Sequence, residues 1–154
     1  MKKISTVLVD CDESILEDCH NQLLLAPGIH LLGRFTDITG ALRLTTRLHT
    51  DILVIGGIKM SPDGVALLRE ITDLHPFTKI LLLLAENRKY EILPALSAGI
   101  MGILDARKHP ETLAKAIETI HQGEAWLPRS IIGSLLKRMD LQAHELPVNL
   151  KNLH

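Results

Sequence analysis

The stretch DILVIGGIKM, residues 51–60, decides how the rest of the chain is read. Four apolar residues, Ile52 to Ile55, follow Asp51 and run straight into Gly56 and Gly57. A short apolar run bounded by turn residues is the pattern of a strand buried on both faces. In an open α/β sheet the carboxyl ends of such strands are where ligands and chemistry are placed. Here that end carries two residues without a side chain.

Working outward, short aliphatic strands alternate with amphipathic helices. Strands are predicted over 5–10, 29–35, 51–56, 79–85 and 101–105, and helices over 13–26, 37–49, 62–76, 88–99 and 109–123. Asp37 has the position of a cap, Pro110 falls in a first turn, and Gly123 lies just past the last helix of the series. Five buried strands alternating with helices require a parallel sheet covered on both faces. Right-handed crossovers make it doubly wound, an α/β flavodoxin-like (βα)5 fold with strand order 2-1-3-4-5. No Gly-x-Gly-x-x-Gly comes after the first strand, so no dinucleotide is expected; no motif points to any other cofactor, and none is expected. Beyond residue 127, residues 128–140 predict an extra amphipathic helix, with Ile131, Ile132, Leu135, Leu136 and Met139 on one face. Residues 141–154 read as a linker or tail.

Composition agrees with one aliphatic domain. The chain has 154 residues, 46% apolar, 23% charged and only 3% aromatic, with a net charge of −1. That balance implies neither a nucleic-acid surface nor an acidic tail. No apolar run approaches the ~20 residues of a membrane span, and the N-terminus lacks a signal-peptide pattern. Cys11 and Cys19 lack C-x-x-C spacing and the eight histidines form no finger-like pattern, so reduced thiols and a cytoplasmic location are expected.

The motifs resemble, in order and spacing, a receiver (CheY-like) domain of bacterial response regulators, of the NarL/FixJ-like (LuxR-type) subfamily. The resemblance covers residues 4–127. VLVDCDES matches the acidic end of a receiver's first strand. DILVIGGIKMSPDGVALLREI matches the third strand, loop and helix, with Asp63 and Gly64 retained. SAGIMGIL matches the run into the fifth strand, and HPETLAKAIETIHQGEAWLP matches the subfamily's fifth helix and the strand-like segment after it. The resemblance implies a regulatory module rather than an enzyme. It also implies two acidic residues holding Mg²⁺, a phosphoacceptor Asp ending the third strand, a hydroxyl ending the fourth and a Lys ending the fifth, a set suited to phosphoryl transfer.

This sequence departs from that set. Asp10 is kept, but Cys11 replaces the second acid, Gly56 the acceptor, Leu84 the hydroxyl and Ala106 the lysine, with Ile103 at the aromatic switch position. Arg107 and Lys108 are displaced into the loop, and Asp12 falls where the family tolerates almost any residue. Asp51 cannot substitute for the acceptor, because at ~3.3 Å per residue it lies ~16 Å from position 56. Asp63 belongs to the next helix start. A lone Asp10 is read as a cap or loop partner rather than a metal ligand, and the cysteines as small hydrophobes rather than sensors. Gly56 is read as relieving crowding by Leu84, with a phosphate-binding turn at Gly56-Gly57 as the alternative.

Together these observations predict a degenerate receiver that works without phosphorylation, as a dimerisation and regulatory module in transcription control. DNA contact would pass through a helix-turn-helix domain absent from this chain. The alternatives are a stand-alone protein-binding adaptor, a sensor of a small anionic ligand near the vacated pocket or terminal helix, and a receiver phosphorylated at a substitute residue. A homodimer is expected. Its candidate face is Ile132, Leu135, Leu136 and Met139, and Pro94 in the fourth helix favours helices one and five for any further contact. No membrane contact is expected, and a regulatory protein partner is allowed for.

Overall fold

The computed structural model describes residues 2–58, 61–84 and 92–142. The five strands are β1 (Ile4–Val9), β2 (Ile29–Phe35), β3 (Ile52–Ile55), β4 (Lys79–Leu83) and β5 (Gly102–Leu104). All pair in parallel, in the order β2-β1-β3-β4-β5. The helices are α1 (Glu13–Leu24), α2 (Ile38–Arg47), α3 (Pro62–Leu74), α4 (Ile92–Ser97), α5 (Leu113–His121) and α6 (Arg129–Gln142).

Strand alternation divides the core in two. Val7, Val9, Leu53, Ile55, Leu82 and Ile103 point to the side covered by α2, α3 and α4. Leu8, Ile52, Val54, Leu81 and Leu104 point to the side covered by α1 and α5. The helix starts are capped as their sequences specify: Asp12 accepts from the Ser14 and Ile15 amides, Asp37 from Gly40 and Ser61 from Gly64. Pro94 sits in the first described turn of α4, where proline is tolerated, and residues 88–91 of the expected helix lie outside the described residues. The fifth helix opens as a 3-10 turn, Pro110–Thr112, before α5.

Asp51 belongs to the far edge of this sheet. Its Oδ2 accepts the Ser5 amide at 2.9 Å and its Oδ1 lies 2.8 Å from His49 Nε2. Burial pushes its carboxyl pKa up, but the Ser5 amide and His49 outweigh it and leave the pKa lowered. The backbone of Asp51 also bonds to Ser5 and Lys79, so this residue joins the starts of three strands.

After α5 the chain returns along β5. Trp126 forms a parallel bridge with Gly102, its amide donating to Met101 and its carbonyl accepting from Ile103 at 2.8 Å. That segment protects the sheet edge. Helix α6 then folds back on its own domain: Ile131 and Leu135 are 2% and 4% exposed, inside the cluster that holds Ile103 and Ala95. Of the expected dimer face, one residue is withdrawn into the core. Leu135 is interior, Ile132 is half-buried, Leu136 is 38% exposed, and the Met139 side chain lies outside the described residues. The helix also runs to Gln142, so residues 141 and 142 are not tail; residues 143–154 lie outside the described residues. Among the described residues, no helix is long and apolar enough to cross a membrane.

Candidate functional site

The ends of β1, β3, β4 and β5 bring Asp10, Gly56, Leu84 and Ala106 to one edge of the sheet. Asp10 is 3% exposed. Its Oδ1 accepts the Asp12 amide at 2.9 Å. Its Oδ2 occupies the place that a Cβ on Gly56 would take, and its Cγ would be only 2.8 Å from that Cβ. Gly57 has φ +74°, and a Cβ there would lie 2.8 Å from Cys11 Sγ. The glycine pair is therefore the counterpart of the inward-turned Asp10 carboxylate and of Cys11, which is exposed rather than a buried small hydrophobe; Cys19 is buried as expected. Leu84 does not cause the crowding; the close atoms belong to Asp10 and Leu83. The Gly56 amide is bonded to the Val9 carbonyl at 2.8 Å, so it does not point to an anion.

The remaining positions are apolar or rearranged. The Leu84 amide donates to the Leu104 carbonyl, and Ala106 is buried. Asp105 Oδ1 accepts the amides of Arg107 and Lys108 and turns the loop toward α1. Arg107 then lies 3.6 Å from Asp12 Oδ2. By sequence these two residues stand outside the receiver set. In the folded chain they form an ion pair across the mouth of the site, between loops 95 residues apart in sequence, and the only sequence signal was a cation directly after Ala106.

Burial holds the Asp10 carboxyl above the usual range; the Asp12 amide opposes this, the Asp12 carboxylate adds to it, and Arg107 opposes it. A pKa raised on folding means the folded chain binds that proton more tightly. The resulting stability is complete below the unfolded value of ~3.9 and is lost as pH rises through the folded value. Asp10→Asn is therefore expected to melt at a higher temperature than wild type at pH 7, with the gap closing toward pH 4. Its amide oxygen can still accept from Asp12. The comparison removes the opposite contribution of Asp51, which both proteins share. An equal or lower melting temperature for the variant across that range would count against a buried, penalised carboxylate.

The Mg²⁺ implied by the resemblance does not fit these residues. Cys11 is a poor ligand for a hard cation, Asp10 Oδ1 is engaged by an amide, and Oδ2 is packed against Gly56. Among the described residues, no group of three or more His, Cys, Asp or Glu could hold a metal ion.

The isolated REC domain of RcsB from Salmonella enterica serovar Typhimurium, in its apo form, matches this structure with a TM-score of 0.78 at 22% identity, covering 88% of this chain and 99% of that one. The fold is that of a receiver domain. The transcriptional regulatory protein LiaR of Bacillus subtilis (strain 168) is 24% identical over 136 residues, covering 88% of this chain and 64% of LiaR. DegU of Brevibacillus brevis, also a transcriptional regulatory protein, is 22% identical over 135 residues, covering 88% of this chain and 57% of DegU. The chain thus spans 57–64% of the length of these two curated relatives of the receiver. No family model matches the chain.

Proposed function

We propose that this chain is a receiver domain that regulates without accepting a phosphoryl group, through homodimerisation and transcription control. One observation carries the proposal: the Asp10 carboxylate stands where the acceptor's own side chain would begin. Leu84 and Ala106 add that neither a hydroxyl nor an ammonium group stands at the two partner positions. The transcriptional role is carried over from LiaR and DegU, and from RcsB, which has been solved as two dimers bound to two parallel DNAs. In this proposal, DNA contact belongs to a helix-turn-helix part outside the chain, and residues 1–127 with the docked α6 form the regulatory unit. Because α6 commits Leu135 to its own core, self-association falls to α1 and α5.

Intact-mass spectrometry after treatment with acetyl phosphate and Mg²⁺ is expected to show no added phosphoryl group. Sedimentation is expected to show the same dimer at tens of micromolar with and without the donor. A stable, acid-labile gain of one phosphoryl group would overturn the phosphorylation-independent part. A monomer in both conditions would remove the dimer.

A further inference from the structure

A cavity of about 790 Å³ opens between the end of β5, the loop leading to α5, and the start of α6. This lies within the ~300–1,000 Å³ typical of small-molecule sites. Its apolar lining includes Leu84, Leu104, Trp126 and Ile132, contributed by four separate segments. Leu84 matters most, because the residue that removes the hydroxyl from the receiver's switch position also makes this wall apolar. Lys108 and Arg129 line the cavity too, both exposed. Among the described residues, neither side chain has an ion-pair partner. Of the two carboxylates on the lining, Asp105 accepts the Arg107 and Lys108 amides through Oδ1, and Glu124 is exposed.

We propose that this cavity binds a small organic anion with a flat apolar body. The body would lie against Leu84, Trp126 and Ile132, where ring stacking and apolar burial favour an aromatic group. The acidic group would pair with Lys108 and Arg129 at the mouth, neither of which has an ion-pair partner among the described residues. One wall is the loop that carries Arg107 and the other is α6, so occupancy would set the spacing of those two elements. The inference does not depend on the absence of phosphoryl transfer.

Trp126 is the one tryptophan of the chain, so its emission reports on this cavity. The probe is 8-anilino-1-naphthalenesulfonate, titrated into the whole chain, with N-phenyl-1-naphthylamine as the neutral counterpart. Saturable binding near one per chain is expected, with quenching of Trp126 and sensitised probe emission. Lys108→Glu and Arg129→Glu should each weaken it about tenfold, equivalent to ~1.4 kcal/mol, with unchanged melting temperatures because both side chains are exposed. Ile132→Phe should weaken it by filling the cavity. Absence of saturable binding below millimolar probe would overturn the site. Binding that leaves Trp126 unaffected would do the same, by placing the probe elsewhere, for example on the exposed Leu24, Leu25 or Phe77. Equal affinity for the neutral counterpart, or charge-reversal variants that bind normally, would overturn the anionic part.

Discussion

Gly56→Asp is expected to destabilise the domain strongly and to remain unlabelled by acetyl phosphate. The new Cβ would collide with Asp10 Oδ2 and crowd Leu83. Asp10 could turn aside only by giving up the Asp12 amide, and it is 3% exposed, so its carboxylate would move through packed atoms. Overpacking of this kind costs ~1–3 kcal/mol. A second carboxylate beside the first must stay protonated or add repulsion, so the total is expected to reach ~3 kcal/mol or more. At ~2–4 °C per kcal/mol, the melting temperature should fall by about 10 °C. Adding Asp10→Ala should recover more than half of that loss, because it removes both the collision and the charge. The coupling between the two sites is the quantity to measure. Additive effects of the two substitutions, or efficient Mg²⁺-dependent labelling of Gly56→Asp, would contradict this account of the site.

Leu135→Asp should lower stability by about 3 kcal/mol or more. Losing a buried leucine costs ~2–5 kcal/mol, and a carboxylate facing Ile103 and Ala95 would have no partner among them. The domain can relieve this by releasing α6, so faster tryptic cleavage near Lys137 should accompany the drop in melting temperature. Leu136→Asp, on the side of the helix that remains 38% exposed, is the control and should shift stability by no more than ~0.5 kcal/mol. An interface on the α6 stripe, as the sequence suggested, would give the opposite pattern, with Leu135→Asp yielding folded monomers of normal stability. Circular dichroism and sedimentation on both variants separate the two.

The sequence by itself determined the sheet and which residue types stand at its carboxyl end. Apolar runs of strand length alternating with helical periodicity leave few topologies, and the right-handed crossover rule selects among them. That pattern is local, each element carrying its own signal, which is why β2 and the cap at Asp37 fall where expected. The positions of Gly56, Leu84 and Ala106 were legible for the same reason, as each follows a strand whose place the pattern sets. What surrounds Gly56 was not legible. Asp10 and Gly56 are 46 residues apart, and only the pairing of β1 with β3 puts the carboxylate of one on the missing side chain of the other. The Arg107–Asp12 pair likewise exists only because the Asp105 turn aims one loop at the next. In α6 the apolar stripe showed that something must cover the helix. Whether a second chain or its own core does so was decided by the Trp126 segment, which pairs with β5 and delivers Ile131 and Leu135 to the interior. Burial depends on where distant segments come to lie, and a helix carries the same stripe in either case.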